Sequence, residues 1–491
     1  MEKLLQTDWP LLAELTSPIW ILLVTSFAVL LISPLKHRLA GRLIELLTAI
    51  SLLVSFFVCW REWLSGSSMV VNMLGFQRMS YTFDLIFLIA AFLTVLISVD
   101  YLKREGIQEG EYYALLLFAT AGAMLIAHAN DLIVLFLGLE IISLAAYILA
   151  GMKKESVRSS EASLKYFILG SFASGFLLYG IALAYGATGS TSLGAFQELT
   201  TPLAEPTLLM LSVAFLLIGV GFKIAVVPFH LWSPDVYEGA PTSVTAYMAS
   251  VIKAAGFAAL IRLALALGHI PEIPWIALFW ILSALTMTVG NLVALRQTNI
   301  KRMLAYSSIA HAGYALVGVT AALQKNALTE STLGAVIFYL FAYSMTTIGA
   351  FAIVIAIGRR GNDLDEMSDL SGLAKKHPLL AAAMAIFMFS LTGIPPTIGF
   401  VGKFYLFAGA MEAGLYSLVV IGVLNSVVSA YYYLGPVVRM YFREDREHSL
   451  PPLKLTLVAG IFLCLFAVLY LGLFPSEIFL IARESVRELI F

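Results

Sequence analysis

The stretch Gly219-Val220-Gly221-Phe222-Lys223-Ile224-Ala225-Val226-Val227-Pro228-Phe229-His230-Leu231-Trp232 lies in an apolar run long enough to cross a bilayer, yet it carries a lysine, and a proline five positions later. Proline has no N–H and clashes with the preceding turn, so Pro228 kinks or unwinds the helix around Lys223 and leaves a cation beside freed carbonyls. A charge at a lipid-facing helix centre costs at least about 2.5 to 3.5 kcal/mol, so a span that keeps Lys223 must turn it toward a protein interior or water. One such helix therefore implies a bundle around it.

The rest of the chain supplies that bundle. Its 491 residues are 60% hydrophobic and only 12% charged, with a mean hydropathy of +0.91, which describes a polytopic membrane protein rather than a soluble multidomain enzyme. Fourteen apolar runs separated by polar or Pro/Gly clusters predict helices near 17–34, 40–60, 82–101, 112–128, 131–151, 163–187, 207–231, 242–267, 274–295, 301–322, 332–358, 379–411, 415–441 and 454–481. Helices are required because each run must satisfy its own backbone and the alternation of barrel strands is absent. The net charge of −1 offers no basic field for a nucleic acid.

Lysines and arginines test the count. Connections after odd-numbered spans carry nineteen: Lys36, Arg38, Arg42, Lys103, Arg104, Lys153, Lys154, Arg158, Arg296, Lys301, Arg302, Arg359, Arg360, Lys375, Lys376, Arg439, Arg443, Arg446 and Lys454. Connections after even-numbered spans carry three, Arg61, Arg78 and Lys325. A miscounted span would scramble this split, so fourteen helices are expected, with the odd connections cytoplasmic and both termini outside. Met1-Glu2-Lys3, followed by acidic Asp8 and Glu14, lacks the basic flank of a signal peptide. The two cysteines, Cys59 and Cys464, sit in apolar runs and cannot furnish an iron–sulfur ligand set or a disulfide framework.

A second break, Gly393-Ile394-Pro395-Pro396-Thr397-Ile398-Gly399-Phe400-Val401-Gly402-Lys403, interrupts the twelfth span. It falls five helices after the first. Five is odd, so two successive five-helix units would enter the membrane from opposite sides as an inverted pair, and paired broken helices mark an ion path. The expected organisation is three N-terminal helices over 1–111, repeats over 112–268 and 269–445, and a C-terminal helix over 446–491.

Inside the spans lie Glu140, Lys165, Lys223, Lys253, Arg262 and Lys403. Glu140, near the middle of the fifth span, calls for a nearby cation, and Lys223 is the candidate. Lysines taken out of water can alternate between charged and neutral forms, which makes Lys223, Lys253 and Lys403 candidate proton stations, against the blander reading that they brace helices or snorkel. Lys165 is a further candidate for the proton pathway, set equally against snorkelling because it lies within reach of the cytoplasmic surface, and Arg262, near the outer end of its helix, reads as an anchor. His230 and His311 are candidate proton relays, while His128, at a short outer turn, reads as structural. No nucleotide loop, metal-binding His-Glu motif or catalytic triad is present.

The segment from Lys223 through Trp232-Ser233-Pro234-Asp235-Val236-Tyr237-Glu238-Gly239-Ala240-Pro241-Thr242, with Tyr306-Ser307-Ser308-Ile309-Ala310-His311-Ala312-Gly313-Tyr314 and Gly393-Ile394-Pro395-Pro396, resembles the antiporter-like membrane subunits of respiratory complex I, the N type more than its sisters. The resemblance implies fourteen helices, two inverted five-helix units with discontinuous seventh and twelfth helices, and proton translocation coupled to quinone reduction in other subunits. It places Glu140, Lys223, Lys253 and Lys403 at the family's fifth-, seventh-, eighth- and twelfth-helix sites. NADH, FMN, iron–sulfur clusters and quinone would belong to partner subunits, with no cofactor in this chain. The partners implied are the other membrane-arm subunits, including the sister antiporter-like ones, and the lipid bilayer. A bacterial cytoplasmic (inner) membrane is the expected location. The rival readings are a sodium/proton antiporter subunit, which would need more deep carboxylates than Glu140, and a purely structural scaffold, which leaves four interior charges unexplained.

Overall fold

The computed structural model describes residues 9–35, 38–66, 68–197, 206–270, 273–324, 329–359, 364–444 and 452–487. Met1, Glu2, Lys3, Asp8, Lys36, Lys325, Arg360 and Arg446, and the boundary drawn at 445/446, lie outside the described residues.

The first helices are α1 (Trp9–Leu15), α2 (Ser17–Ile32) and α3 (Arg38–Ser65), and a short antiparallel hairpin of β1 (Met69–Val71) and β2 (Leu74–Phe76) follows. Next come α4 (Arg78–Glu105), α5 (Glu109–His128), α6 (Leu132–Ala150), α7 (Val157–Thr188), α8 (Leu193–Gln197), α9 (Pro206–Ile224) and α10 (Trp232–Gly239). The second half has α11 (Thr242–Leu267, with a π turn at Met248–Ile252), α12 (Trp275–Ala294), α13 (Ile300–Ala322), α14 (Thr329–Ile357), α15 (Leu373–Lys376), α16 (Pro378–Thr392), α17 (Ile398–Glu412), α18 (Tyr416–Phe442), α19 (Leu455–Leu473) and α20 (Ser476–Glu484).

Among the described residues eleven helices are long and apolar enough to cross a membrane, or twelve if α1 and α2, bent by 72°, form one span. Helices stand at the other two expected places as α13 and as the divided pair α16 and α17. Both expected breaks are present. Residues 225–231 separate α9 from α10, and 393–397 separate α16 from α17. The hairpin is an element the apolar pattern does not announce. Its three-residue strands are too short for an alternation to register, and the turn places Asn72 at φ 56°, a conformation asparagine tolerates better than most residues.

The connections sort onto two sides. Arg104 Nη1 donates to the carbonyls of Ile355 (2.9 Å) and Gly358 (2.8 Å), Lys153 pairs with Glu105 at 2.8 Å, Lys301 Nζ donates to Ala240 O at 2.6 Å, and Gly372 N donates to Arg439 O at 3.1 Å. These contacts tie the basic connections to one another. On the opposite side, Asn130 N donates to Met73 O (2.8 Å), Leu132 N to Thr191 O (2.9 Å) and Leu193 N to Asn130 O (3.0 Å). The basic residues of the odd connections thus share one face, as their count predicts.

Burial runs inward from the rim. The most apolar windows of α11 and α14 are each 94% buried, whereas those of α7 and α12 are 33%. Core helices close enough to pack need small residues, and Gly290 and Gly313 show it: a Cβ on Gly290 would lie 2.7 Å from Ala310 N and one on Gly313 2.6 Å from Met287 N, locking α12 against α13. The two most buried spans, α11 and α14, thereby lie inside the bundle, and α11 carries the buried Lys253.

Candidate functional site

Helix α13 organises the site. Ser308, His311 and Tyr314 recur at i, i+3 and i+6, which puts them on one side of the helix at a rise of about 4.5 Å per step. Lys253 Nζ, from α11, donates to the Ser308 carbonyl at 2.5 Å and lies 5.9 Å from the Tyr343 ring centroid. Lys403 Nζ, from α17, lies 4.5 Å from the Tyr314 ring centroid. His311 sits between them. Its Nδ1 is 2.6 Å from Tyr339 Oη and its Nε2 3.0 Å from Tyr433 Oη, and Tyr433 also bonds Ser307 Oγ at 2.5 Å. Lys253, His311 and Lys403 are all buried, so three titratable groups of both halves of the chain meet along one helix face.

The second break builds the Lys403 end. Helix α16 stops at Gly393, held at φ +89°, where a Cβ would also press on Lys403 Cδ at 3.0 Å; both facts call for glycine. The last carbonyls of α16 then lack helical partners. Lys403 supplies them, donating to Leu391 O at 3.1 Å and Thr392 O at 2.9 Å, with Ser426 Oγ at 3.4 Å. A cation at a helix C-terminus is also favoured by the backbone dipoles.

The first break solves the same problem differently. The carbonyl of Phe222 is taken by Trp232 Nε1 at 2.9 Å, and Val227 N donates to Thr286 Oγ1 at 3.1 Å. The expectation that Lys223 would sit on freed carbonyls therefore fails. Its buried Nζ makes no hydrogen bond among the described residues, and it packs 5.5 Å and 5.4 Å from the Tyr147 and Tyr166 ring centroids. Aromatic faces attract a cation, by about 2 kcal/mol where it is desolvated.

Glu140, half-buried on α6, accepts a hydrogen bond from Ser174 Oγ on α7. It shares the Lys223 neighbourhood through Tyr147, two turns on along α6, but forms no ion pair with Lys223 among the described residues. His230 lies in the first break, partly exposed, with Nδ1 unbonded and outside the cluster on α13.

Lys165 is not in the buried line. Its side chain is 43% exposed and pairs with Asp235 (2.8 Å) and Glu161 (2.8 Å), while Arg302 pairs with Asp235 (2.7 Å) and Glu238 (2.9 Å). These groups line a cavity of about 220 Å³ on the basic side. Partial burial pushes the Asp235 carboxyl up, but hydrogen bonds from Lys165 and Arg302 outweigh it and hold it below the ordinary carboxylate value. Arg262 is not an interfacial anchor. It is 0% exposed and donates to Ala127 O and, at 2.7 Å, to Ser80 Oγ, closing off the end of α5. His128 bonds Asp84 Oδ2 at 2.8 Å and Gly75 O at 3.1 Å and pins the hairpin.

Sequence reasoning missed the tyrosine and serine partners: Tyr147, Tyr166, Tyr314, Tyr339, Tyr433, Ser174 and Ser308. Tyr339 and Tyr343, one helical turn apart in an apolar run, were a legible sign, since buried phenols need partners. Among the described residues no group of three or more His, Cys, Asp or Glu side chains is placed to hold a metal ion. Cys59 and Cys464 are buried on α3 and α19, and that pair does not fit an iron–sulfur cluster.

The family described as NADH:quinone oxidoreductase/Mrp antiporter, transmembrane, matches residues 129–429. A relative from Trichlorobacter lovleyi, NADH-quinone oxidoreductase subunit N, is 45% identical over 474 residues, 95% of each chain. Subunit N 2 of Roseiflexus castenholzii is 42% identical over 475 residues, 96% of this chain and 94% of that one. Among solved structures, a chain of respiratory complex I from Thermus thermophilus with bound aureothin aligns with a TM-score of 0.80 at 36% identity, covering 94% of this chain and 98% of that one. A chain of the Mrp complex from Dietzia sp. reaches a TM-score of 0.84 at 23% identity, covering 96% of each, a likeness of fold alone.

Proposed function

The chain belongs to the NADH:quinone oxidoreductase/Mrp antiporter family, among its NADH-quinone oxidoreductase N subunits, and from that premise we propose that the Glu140, Lys223, Lys253, His311 and Lys403 line is the route by which this membrane subunit moves protons. It is a proton-translocating subunit of a multi-subunit membrane assembly. Electron transfer and its cofactors reside in partner subunits, so this chain acts as the translocase part and holds no redox centre. Its fourteen crossings form three N-terminal helices, two inverted five-helix repeats and a C-terminal helix in a bacterial inner membrane, with the basic face cytoplasmic.

The observation that carries the reading is the meeting of Lys253 and Lys403 on one face of α13 with His311 between them. In the proposed sequence a proton enters from the cytoplasmic side near the seventh and eighth spans, with the Lys165 and Asp235 network at the mouth. It passes Lys223 and Lys253, crosses by His311 and water to Lys403, and leaves outward; His230 orders water at the first break. Glu140 is the tuning group. When it approaches Lys223 it favours the charged lysine, and when Ser174 holds it, as here, Lys223 has no ion pair and rests against aromatic rings, which favours release of its proton. The sodium/proton antiporter alternative is not favoured, since Glu140 is the one carboxylate in the line and sodium prefers a shell of oxygens. Lys223→Ala in an assembled complex should depress proton pumping coupled to quinone reduction; full pumping by that variant would remove Lys223 from the route.

A further inference from the structure

On the basic side, a cavity of about 390 Å³ opens beside the end of α18, away from the lysine line. Its walls come from two connections, Leu295 after α12 and Met367 ahead of α15, and from one helix end, Tyr431, Tyr432, Arg439 and Arg443 of α18 and its C-cap. Two features decide what would fill it. The outer wall is continuous with the apolar stripe of α18 that faces away from the bundle, where Tyr431 is 75% and Val427 68% exposed. The inner rim carries two guanidinium groups, and among the described residues the partner of Arg439 is the soft sulfur of Met367, 3.5 Å away, with no carboxylate paired to either arginine.

An apolar groove running up an outward-facing helix into a pair of arginines at its end has the polarity of one ligand, a phospholipid lying with its chain along α18 and its phosphate at the rim. Arginine suits the task because its planar donors take phosphate oxygens two at a time, and basic pockets between transmembrane helices on the cytoplasmic side bind anionic headgroups. We infer that this cavity is a binding site for an anionic phospholipid, with Arg439 and Arg443 holding the phosphate and Tyr431 flanking the acyl chain. The site shares a wall with the polar interior: Tyr432 donates to Asn291 Oδ1 at 2.8 Å, and its ring lies 4.3 Å from that of Tyr433, the partner of His311. Occupancy does not depend on the proton-route reading.

The test uses the whole membrane complex in vesicles containing phosphatidylglycerol or phosphatidylcholine with the same photoreactive acyl chain. After illumination, labelled peptides are located by mass spectrometry. Peptides covering 431–443 should take the anionic probe roughly thirtyfold over the zwitterionic one, the scale expected of two basic groups beside a headgroup, and inorganic phosphate should not compete. Arg439→Gln with Arg443→Gln should erase that preference while labelling of the α6 face stays unchanged, and Arg439→Lys with Arg443→Lys should retain much of it. Equal labelling by both probes would overturn the proposal, as would competition by inorganic phosphate, or crosslinks from this segment to a neighbouring subunit in place of lipid. If the glutamine variant does not assemble, the probe ratio on the unaltered complex decides.

Discussion

Replacing His311 with phenylalanine isolates the step on which the proton route turns. Phenylalanine nearly fills the imidazole space, so the packing of α13 against α14 survives while the titratable group disappears. Lys253 meets α13 at Ser308 and Lys403 meets it at Tyr314, six residues on, a rise of about 9 Å. A hydrogen bond spans roughly 3 Å, so without His311 a proton must cross by phenol hydroxyls and water alone. Flux through the chain should fall at least about tenfold, equivalent to about 1.4 kcal/mol on the barrier. A structural cost accompanies it. Tyr433 keeps its bond to Ser307, but the Tyr339 hydroxyl loses its His311 partner, at about 1 to 3 kcal/mol for a buried orphaned group. Tyr339→Phe removes the same bond without the imidazole and is the control for stability. The assay is the proton-to-electron ratio of purified complex in sealed vesicles, with assembly checked on native gels. An unaltered ratio in assembled His311→Phe complex would refute the reasoning.

Gly393→Ala forces a side chain into a left-handed position, at about 1 to 2 kcal/mol, and presses a methyl group on Lys403 Cδ; pumping should drop more than complex stability, and equal proton-to-electron ratios in variant and parent would contradict it. Trp232→Phe removes one of the two donors to the Phe222 carbonyl and leaves the other, Ala225 N at 3.1 Å, so thermal unfolding of the complex should report a loss of about 0.5 to 1.5 kcal/mol for the missing hydrogen bond. Asp235 has a folded-state pKa held below its ordinary value, so its contribution to stability is complete above about pH 4 and is lost as pH falls through the folded value. Melting of the complex should therefore show no Asp235-dependent change between about pH 5 and 8, and Asp235→Asn should cost no more than about 1 kcal/mol for each exposed pair it breaks; a steep dependence near neutrality that vanishes in the variant would place Asp235 in a different role.

Much of the architecture was legible because a bilayer leaves the chain few choices. Apolar runs had to be helices, lysines on alternate connections had to share a face, and Pro228 and Pro395-Pro396 had to break the spans that hold them; the contacts from Arg104 to Ile355 and from Gly372 to Arg439 agree on the shared face. The hairpin was not legible, since three-residue strands leave no period. Nor was the placement of Arg262, whose nearness to a helix end in sequence suggested an interface although α11 is buried almost throughout. Linear position reports depth along a helix, whereas direction around it depends on which neighbours α11 packs against.

The same limit explains why the two break lysines differ. Freed carbonyls were expected beside Lys223, yet it is Lys403 that finds them, because it follows its break and reaches back to the end of α16. Lys223 precedes its break, and the carbonyl beside it is already taken by Trp232, nine positions further along the chain. An occupied carbonyl leaves Lys223 against tyrosine faces with no hydrogen bond among the described residues, while Lys403 has fixed acceptors. Under the proposed route, that asymmetry would separate a site whose charge responds to Glu140 from one that holds charge by itself. The difference follows from which side of a proline the lysine stands on, and it predicts that Glu140→Gln perturbs protonation at Lys223 while leaving Lys403 unchanged, a contrast that infrared difference spectra of the two lysine variants would read directly.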